Sequence, residues 1–553
     1  MSKVRRAKGF WRQGEPFVWA TGATLAVTLL LTALLLLVVL WNGLGVFWPQ
    51  ALVLVELDDG GNLLAKQLQT EDASRDGALR TKFKTANRED GPAFRWVDET
   101  AIRQRTYPAD AFVLERTTNL DYHGFLDELK TPGLDVPADG PARRRFAAAL
   151  AAARAENERS VEPLKKQEET IARELNDTVK YQKLDVAYRL KQLRRQSRVG
   201  SDEYRALEAR LAELDGREAE LKEQSFELAA KRSQREEELR ENVAVLRDAA
   251  GSTKAIPLVD VVRFYCPNQM GFFDKSGYYL AKVWELLFDD PREANQDGGL
   301  RPAIFGTVLL VFLMAITCFP LGVLAGVYLG EYAREGPLVR LVRVAVNNLA
   351  GIPSIVYGIF GLGFFIYLIG GSLDAWLYPA RVAESEPVFG RGCIFWASLT
   401  LGLLTIPVVI VSTEEALRAI PRGVSEGSYA LGATKFQTLC RVLLPMASPG
   451  VMTGFILAMA RAAGEVAPLM ITGAVKSAPV PADGQFPFLH LDRQFMHLGY
   501  HIFDISCKSP NVEATKPMVY VTTLLLLLIV VVLSSTAIYF RNRMRKRFQI
   551  RAM

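Results

Sequence analysis

The 553-residue sequence contains no G-x-x-x-x-G-K-[ST] run, so the chain has no P-loop of its own to cradle nucleotide phosphates. Gly432-Ala433-Thr434-Lys435 looks like a fragment of one, but its spacing is wrong and it follows a helical stretch instead of a strand. H-E-x-x-H and G-x-S-x-G are absent too, so neither signature supplies an enzyme active site. Histidine occurs four times and cysteine five, with no C-x-x-C. The only histidine group is His490, His497 and His501. His497 and His501 stand at i, i+4 on one helix face, yet no acid or thiol lies at ligand spacing, so no metal is assigned. Net charge is only +6, from 66 Lys+Arg against 60 Asp+Glu, and indicates no nucleic-acid footprint.

What the sequence does have is segregation: 50% of residues are hydrophobic and 23% charged, in separate stretches. Val18–Leu40 carries no ionisable side chain over 23 residues. A run of that length matches an ~30 Å hydrocarbon slab, which excludes a purely soluble chain. A β-barrel is excluded because its strands would alternate polar and apolar residues. Hydropathy places spans at 18–41, 303–329, 345–369, 393–412, 448–473 and 517–540. Lys3, Arg5, Arg6, Lys8 and Arg12 precede the first; Arg541, Arg543, Arg545, Lys546 and Arg547 follow the last. Positive flanks mark the cytoplasmic side, so both ends are expected there, and six spans satisfy that parity. The predicted internal loops add Arg334, Arg340, Arg343, Arg418, Arg422, Lys435 and Arg441. The first run is too long for a signal-peptide core and lacks a cleavage site, while Trp41, Phe47 and Trp48 suit an interfacial anchor. Gly322, Gly326 and Gly330, and again Gly450 and Gly454, are spaced for close helix packing.

The fold class expected is an all-α polytopic membrane protein with an inserted external α+β domain. Residues 1–41 form the cytoplasmic N-terminus and first helix, 42–302 the insertion, 303–540 a five-helix core and 541–553 a basic tail. Within the insertion, 50–57, 111–116 and 255–264 read as strands. A helical-hairpin coiled coil fills about 142–250. Its first helix runs from about Ala142 to Gln196, kinked or divided at Pro163. Ser197–Asp202 makes the turn, where Ser201 or Asp202 can cap the second helix. Leu207, Leu214, Leu221 and Leu228 recur every seven residues, then Leu239 and Leu246 resume after a gap of eleven that holds Arg232 and Arg235. Eleven is seven plus four, a stutter in a coiled coil. About 45 helical residues would reach ~70 Å from the membrane. Docking element and solvated insertion fit this arm equally. Cys266 and Cys507 both fall outside, where a disulfide is permitted but not required.

The informative internal segment is Thr413–Gly454. Glu426-Gly427-Ser428, three residues, Gly432, nine residues, then Val442-Leu443-Leu444-Pro445 resembles the EAA loop of ABC importer permeases, with Gly427 and Ser428 standing for two alanines. Glu426 suits the start of a short helix, and Gly432 suits a turn with positive φ. Asn348–Gly358 (NLAGIPSIVYG) and Gly298–Thr307 (GGLRPAIFGT) resemble the signatures of Pst-type phosphate permeases, and Ala460–Leu469 (ARAAGEVAPL) resembles the PstA branch. Val466 departs from a usual threonine, and the long insertion departs from a usually short external loop.

The resemblance implies an ABC importer permease fold in a bacterial inner membrane, coupled to a cytoplasmic ATPase through Glu426, Gly427, Ser428, Gly432, Leu444 and Pro445. It implies three partners besides membrane lipid: a PstC-like permease subunit, a PstB-like ATPase dimer that holds ATP-Mg, and an external phosphate-binding protein. This chain itself would bind no cofactor, metal or nucleic acid and would not be an enzyme. Arg461 and Glu465, charged in the middle of the fifth span, are candidates for the translocation path; a structural ion pair fits the same residues. Two other functions fit the chain: a permease for another oxyanion, or a membrane-anchored coiled-coil structural or signalling protein.

Overall fold

Among the described residues, six helices are long and apolar enough to cross a membrane: Phe17–Gly45, Arg301–Tyr332, Ser354–Leu377, Ile394–Arg418, Lys435–Gly464 and Val512–Lys546. The computed structural model describes residues 15–73, 78–86, 94–119, 121–137, 141–292, 295, 297–482, 488–509 and 512–551. Lys3, Arg5, Arg6, Lys8 and Arg12 lie outside them.

Several span boundaries differ from the hydropathy reading: the third, fourth and fifth helices reach Leu377, Arg418 and, at the start, Lys435, and proline explains two further differences. The third run was expected at 345–369; instead Pro337–Leu349 is a separate amphipathic helix and the span begins at Ser354. Pro353 pushes the preceding residue out of the α region and breaks the chain there. The fifth run was expected to continue to 473 but stops at Gly464. Pro468 offers no N–H to the Gly464 carbonyl and its ring would clash with it. Glu465 is therefore extended (φ −77°, ψ 134°), and a short helix restarts over Ala467–Thr472.

The fourth span is the post around which the core packs, with Trp396, Leu401 and Leu404 buried along it. A Cβ on Gly322 would lie 2.7 Å from the Val409 Cβ, and one on Gly326 would lie 2.6 Å from that of Thr413. From the other side, a Cβ on Gly450 would lie 2.6 Å from the Ala416 Cβ, and one on Gly454 would lie 2.3 Å from the Ser412 Cβ. Lipid gives helices no hydrophobic drive toward one another, so such close backbone approach is a main source of their association.

The segment after the first span forms two antiparallel sheets. Strands β1 (Leu52–Leu57), β2 (Asn62–Ala73), β3 (Ala78–Thr85), β4 (Phe94–Asp98) and β5 (Ile102–Thr106) order as β4-β3-β2-β1-β5. Strands β6 (Ala111–Arg116), β7 (Tyr122–Lys130), β8 (Val243–Arg247), β9 (Thr253–Pro257) and β10 (Val261–Tyr265) order as β10-β6-β7-β8-β9. The stretch 255–264 is thus two strands, parted by a 3-10 turn at Leu258–Asp260. A buried ion network fastens this base to the helix Phe272–Phe288, which leads into the second span. Lys282 lies 2.7 Å from Glu115 and 3.3 Å from Glu285, and Arg263 lies 3.1 Å from Glu285. Burial pushes the Glu115 carboxyl up, opposed by Lys282.

Between β7 and β8 the chain rises as Ala142–Ser160, Glu162–Arg173, a π turn at Glu174–Val179 and Lys180–Arg195, then returns as Asp202–Arg240. Pro163 takes an early position in its helix, after a one-residue interruption at Val161, and Ser201 caps the return helix by accepting from the Tyr204 N–H. Leu214, Leu221 and Leu239 are buried in the hairpin. Leu246 is not on that stripe: the helix ends at Arg240, and Leu246 sits in the core on β8. The eleven-residue gap is filled by an ion pair, Arg232 with Glu168 at 3.0 Å. The return helix has 39 residues, which is ~58 Å. The arm does not stand free as the sequence suggested. Lys180 Nζ lies 2.6 Å from Glu386, and the Arg381 guanidinium lies 3.4 Å from the Tyr181 ring centre, both partners in the loop between the third and fourth spans.

That loop and the segment before the sixth span build a cap over the adjoining ends of the third and fourth spans. The buried Asp374 carboxylate accepts from the backbone N–H groups of Phe389 (2.9 Å) and Gly390 (2.6 Å), and Trp396 Nε1 donates to the Phe389 carbonyl (2.6 Å). The Ile394 and Phe395 N–H groups donate to the carbonyls of Arg493 and Leu491. His497 and His501 are buried here, and burial lowers both pKa values to about 4; beside His501, Asp504 opposes the shift and Lys476 adds to it. No group of three metal-ligating side chains occurs among the described residues. All five cysteines are free; Cys266 is buried, its thiol pushed up to about 11, while Cys507 is exposed, so the two are not bridged.

Two predictions follow from this packing. Gly454→Val should lower the melting temperature of the detergent-purified protein through an overpacking cost of ~1–3 kcal/mol. Gly363→Ala, where a Cβ meets nothing within 4 Å, should leave it unchanged. The second concerns pH. Both histidines ionise near 6.5 when unfolded and about 4 when folded, so the unfolded chain binds more protons between those values. Their stabilising contribution is complete above pH 6.5 and is lost as pH falls toward 4. His501→Gln should flatten the fall in melting temperature over that window; a slope equal to that of the parent protein would refute it.

Candidate functional site

The segment with the E-G-S…G spacing forms the helix Arg422–Ala430 between the fourth and fifth spans. Its end is set by Gly432, at φ +83°, a conformation that costs other residues strain. The Gly432 N–H donates to the Tyr429 carbonyl (2.9 Å) and the Ala433 N–H to the Ser428 carbonyl (3.2 Å), closing the helix. Thr434 and Gln437 then form a reciprocal capping box that starts Lys435–Thr438. The side chain of Ser428 does more than keep the position small, since Ser428 Oγ and the buried Thr438 Oγ1 share a hydrogen bond of 2.9 Å. Lys435 Nζ donates to the Glu331 carbonyl and lies 4.6 Å from the Tyr332 ring centre, which ties this segment to the end of the second span.

Leu444 packs on the apolar cluster of Val327, Leu417, Leu439 and Leu443, at the base of the fifth span. Pro445 cannot donate to the Arg441 carbonyl, and the helix widens into a π turn over Leu439–Leu443 just before it. The six motif residues therefore divide. Glu426 and Gly427 face outward on an exposed helix, Ser428 and Gly432 fix its seat and its turn, and Leu444 and Pro445 begin the next span.

Sequence reasoning missed two features here. Tyr429, Leu431 and Phe436 stand out from the same segment, with Leu431 92% and Phe436 67% exposed. Exposed apolar groups clustered at one site mark a surface that another molecule covers. The second feature is buried. Glu414, near the end of the fourth span, lies 2.8 Å from Arg343 of the amphipathic helix and 2.7 Å from Arg418. Arg343 also reaches Glu335 (2.9 Å) and donates to the Leu329 carbonyl (3.1 Å), so one guanidinium links the second span, the amphipathic helix and the fourth span. The hydrogen bond from Arg343 holds the Glu335 carboxyl below its ordinary range. The available signal was an arginine on the polar face of an amphipathic run and an acid closing an apolar one.

Arg461 and Glu465 are brought together, with Nε to Oε1 at 3.3 Å, but not on one helix face. Glu465 lies beyond the helix end, so the pair bridges the break at Gly464. The third span presses against the restarted helix, where a Cβ on Gly358 would lie 2.8 Å from the Pro468 Cα. Irregular backbone at membrane depth is tolerated where protein buries it or where it lines a water-filled cavity.

Residues 320–546 match the family described as binding-protein-dependent transport system inner membrane component. Over 224 residues the chain is 32% identical to the probable ABC transporter permease protein YqgI of Bacillus subtilis, covering 39% of this chain and 70% of that one. It is 38% identical over 174 residues to the phosphate transport system permease protein PstA of Mycobacterium leprae, covering 32% of this chain and 51% of that one. To PstA of Yersinia pestis it is 35% identical over 198 residues, covering 36% and 59%. The chain thus spans between half and three-fifths of the length of these two PstA relatives. A solved inward-facing structure of the MetNI methionine ABC transporter is similar at 20% identity over 44% of this chain and 94% of that one, with a TM-score of 0.32. The region matched to the family holds both the 422–445 segment and the break at 464–466, while residues 42–302 lie outside it. With six apolar spans and these relatives, the chain belongs to the binding-protein-dependent transport permeases of the inner membrane, as a PstA-type member.

Proposed function

We propose that this chain forms half of the translocation path of an ATP-driven inorganic phosphate importer and is driven by a separate ATPase. The observation that carries the reading is the exposed helix Arg422–Ala430, with Leu431 and Phe436 uncovered beside it. Its partners would be a PstC-like permease, a PstB-like ATPase dimer and an external phosphate-binding protein, with both chain ends cytoplasmic. ATP-Mg would be held on the ATPase.

On this reading the ATPase seats the 422–430 helix, with Glu426 and the apolar knobs in its cleft. Closure of the ATPase pushes the helix. The Ser428–Thr438 hydrogen bond passes the displacement to the base of the fifth span, and Lys435 passes it to the second. The fifth span carries it to the break at Gly464, where Arg461 offers a bidentate donor to a dianion. Glu465 competes for the same guanidinium and keeps the anion from binding too tightly.

Glu426→Lys should abolish high-affinity phosphate uptake by cells while leaving the amount of protein in the membrane unchanged; uptake that survives would remove the coupling assignment. Arg461→Gln, at normal membrane levels, should lower uptake at least about tenfold, ~1.4 kcal/mol of barrier. Undiminished uptake would leave Arg461 and Glu465 as a structural pair. Loss of the whole gene with no loss of phosphate uptake, in cells lacking another phosphate permease, would move the substrate to a different oxyanion.

A further inference from the structure

The insertion touches the permease in two ways that differ in kind. Its base is fixed: Glu115, Lys282 and Glu285 are buried and paired with one another and with the half-buried Arg263, joining β6 and β10 to the helix that enters the second span. Separating these charges would leave several of them buried without partners, so this joint does not open in normal function. Lys82 of β3, also buried, adds an ion pair to Glu513 at the start of the sixth span.

The far contact is a small helix crossing. The short helix Pro379–Ala383 lies against Lys180–Arg195, and among the described residues its polar ties are one solvent-exposed ion pair, Lys180 with Glu386, and one guanidinium, Arg381, near the rings of Tyr181 (3.4 Å) and Tyr378 (5.0 Å). Solvent screens such contacts, and they form and break readily. The chain leading to them is irregular, with a one-residue interruption at Val161, still helical in backbone, and a π turn at Glu174–Val179 directly before Lys180. Interruptions of that type often mark functional positions in helices. What the arm grips, by contrast, is stiff. Asp374 and Trp396 bind the 378–390 loop to the outer ends of the third and fourth spans, so a hold on the loop is a hold on those ends.

We propose that the arm is a latch on the external face of the permease. It is anchored on the second span, it holds the cap of the third and fourth spans closed at rest, and it must release during each transport cycle. Lys180, Tyr181, Glu386 and Arg381 are its contact residues. The proposal rests on the permease reading given above.

The test uses the full chain assembled with its permease and ATPase partners in proteoliposomes. Lys180→Cys and Glu386→Cys are introduced after the exposed Cys440 and Cys507 are changed to serine. A short, reducible bis-methanethiosulfonate linker then bridges the two positions. Bridging should lower both ATP-driven phosphate uptake and ATP hydrolysis about tenfold, and reductant should restore both; the linker should leave each single-cysteine chain at its own untreated rate. In unbridged protein, Arg381→Ala should raise ATP hydrolysis measured without the external binding protein, leaving the KM for phosphate unchanged. Bridged protein that works as fast as unbridged protein overturns the latch. Should no phosphate move even in the unbridged parent, the phosphate reading fails, and the effect of the bridge on ATP hydrolysis still decides the latch.

Discussion

The core depends on one steric constraint: the second and fifth spans approach the fourth more closely than any side chain larger than hydrogen permits. Gly322 and Gly326 meet Val409 and Thr413 on one side, and Gly450 and Gly454 meet Ala416 and Ser412 on the other. Because these contacts are backbone against Cβ, they fix the axial register of all three helices together. Everything at the two ends inherits that register. The Glu414–Arg343 link and the seat of the 422–430 helix lie at one end, and the Trp396–Phe389 cap lies at the other.

Much of this was legible in the sequence because the bilayer makes demands that composition reveals directly. Six apolar runs had to be spans, and small residues at intervals of four had to be contact faces. The E-G-S…G…L-P spacing placed a helix and a turn that Gly432 does make at positive φ. Hydropathy failed where a covalent constraint acted inside an apolar run. Pro353 and Pro468 cut helices that averaging over a window joins, and the second cut removed Arg461 and Glu465 from a shared helix face.

The insertion was less legible, for a different reason. β3 reads ALRTKFKT, with Phe83 buried and charged neighbours on both sides, and such short alternation is easily lost among charged residues. Leu246 keeps the heptad count yet belongs to β8, because periodicity does not reveal where a helix stops. The buried cluster around Glu115 joins residues that stand more than a hundred positions apart, so no local pattern announces it. The same holds for the tie between Lys180 and Glu386. Side-chain chemistry was visible in each case, but the partner was not.

The glycine seam also has a repeat. Glycines four apart on the second span face residues four apart on the fourth, so the next equivalent seating lies one helical turn away, ~5.4 Å along the axis. Any smaller slide drives a Cβ into backbone. These helices therefore mesh like gear teeth and cannot creep past one another. Small displacements must carry the seamed stretches of the second, fourth and fifth spans as one solid block, and the bending falls to the two proline-cut joints, at 350–353 and 464–466, and to the span ends away from the seam.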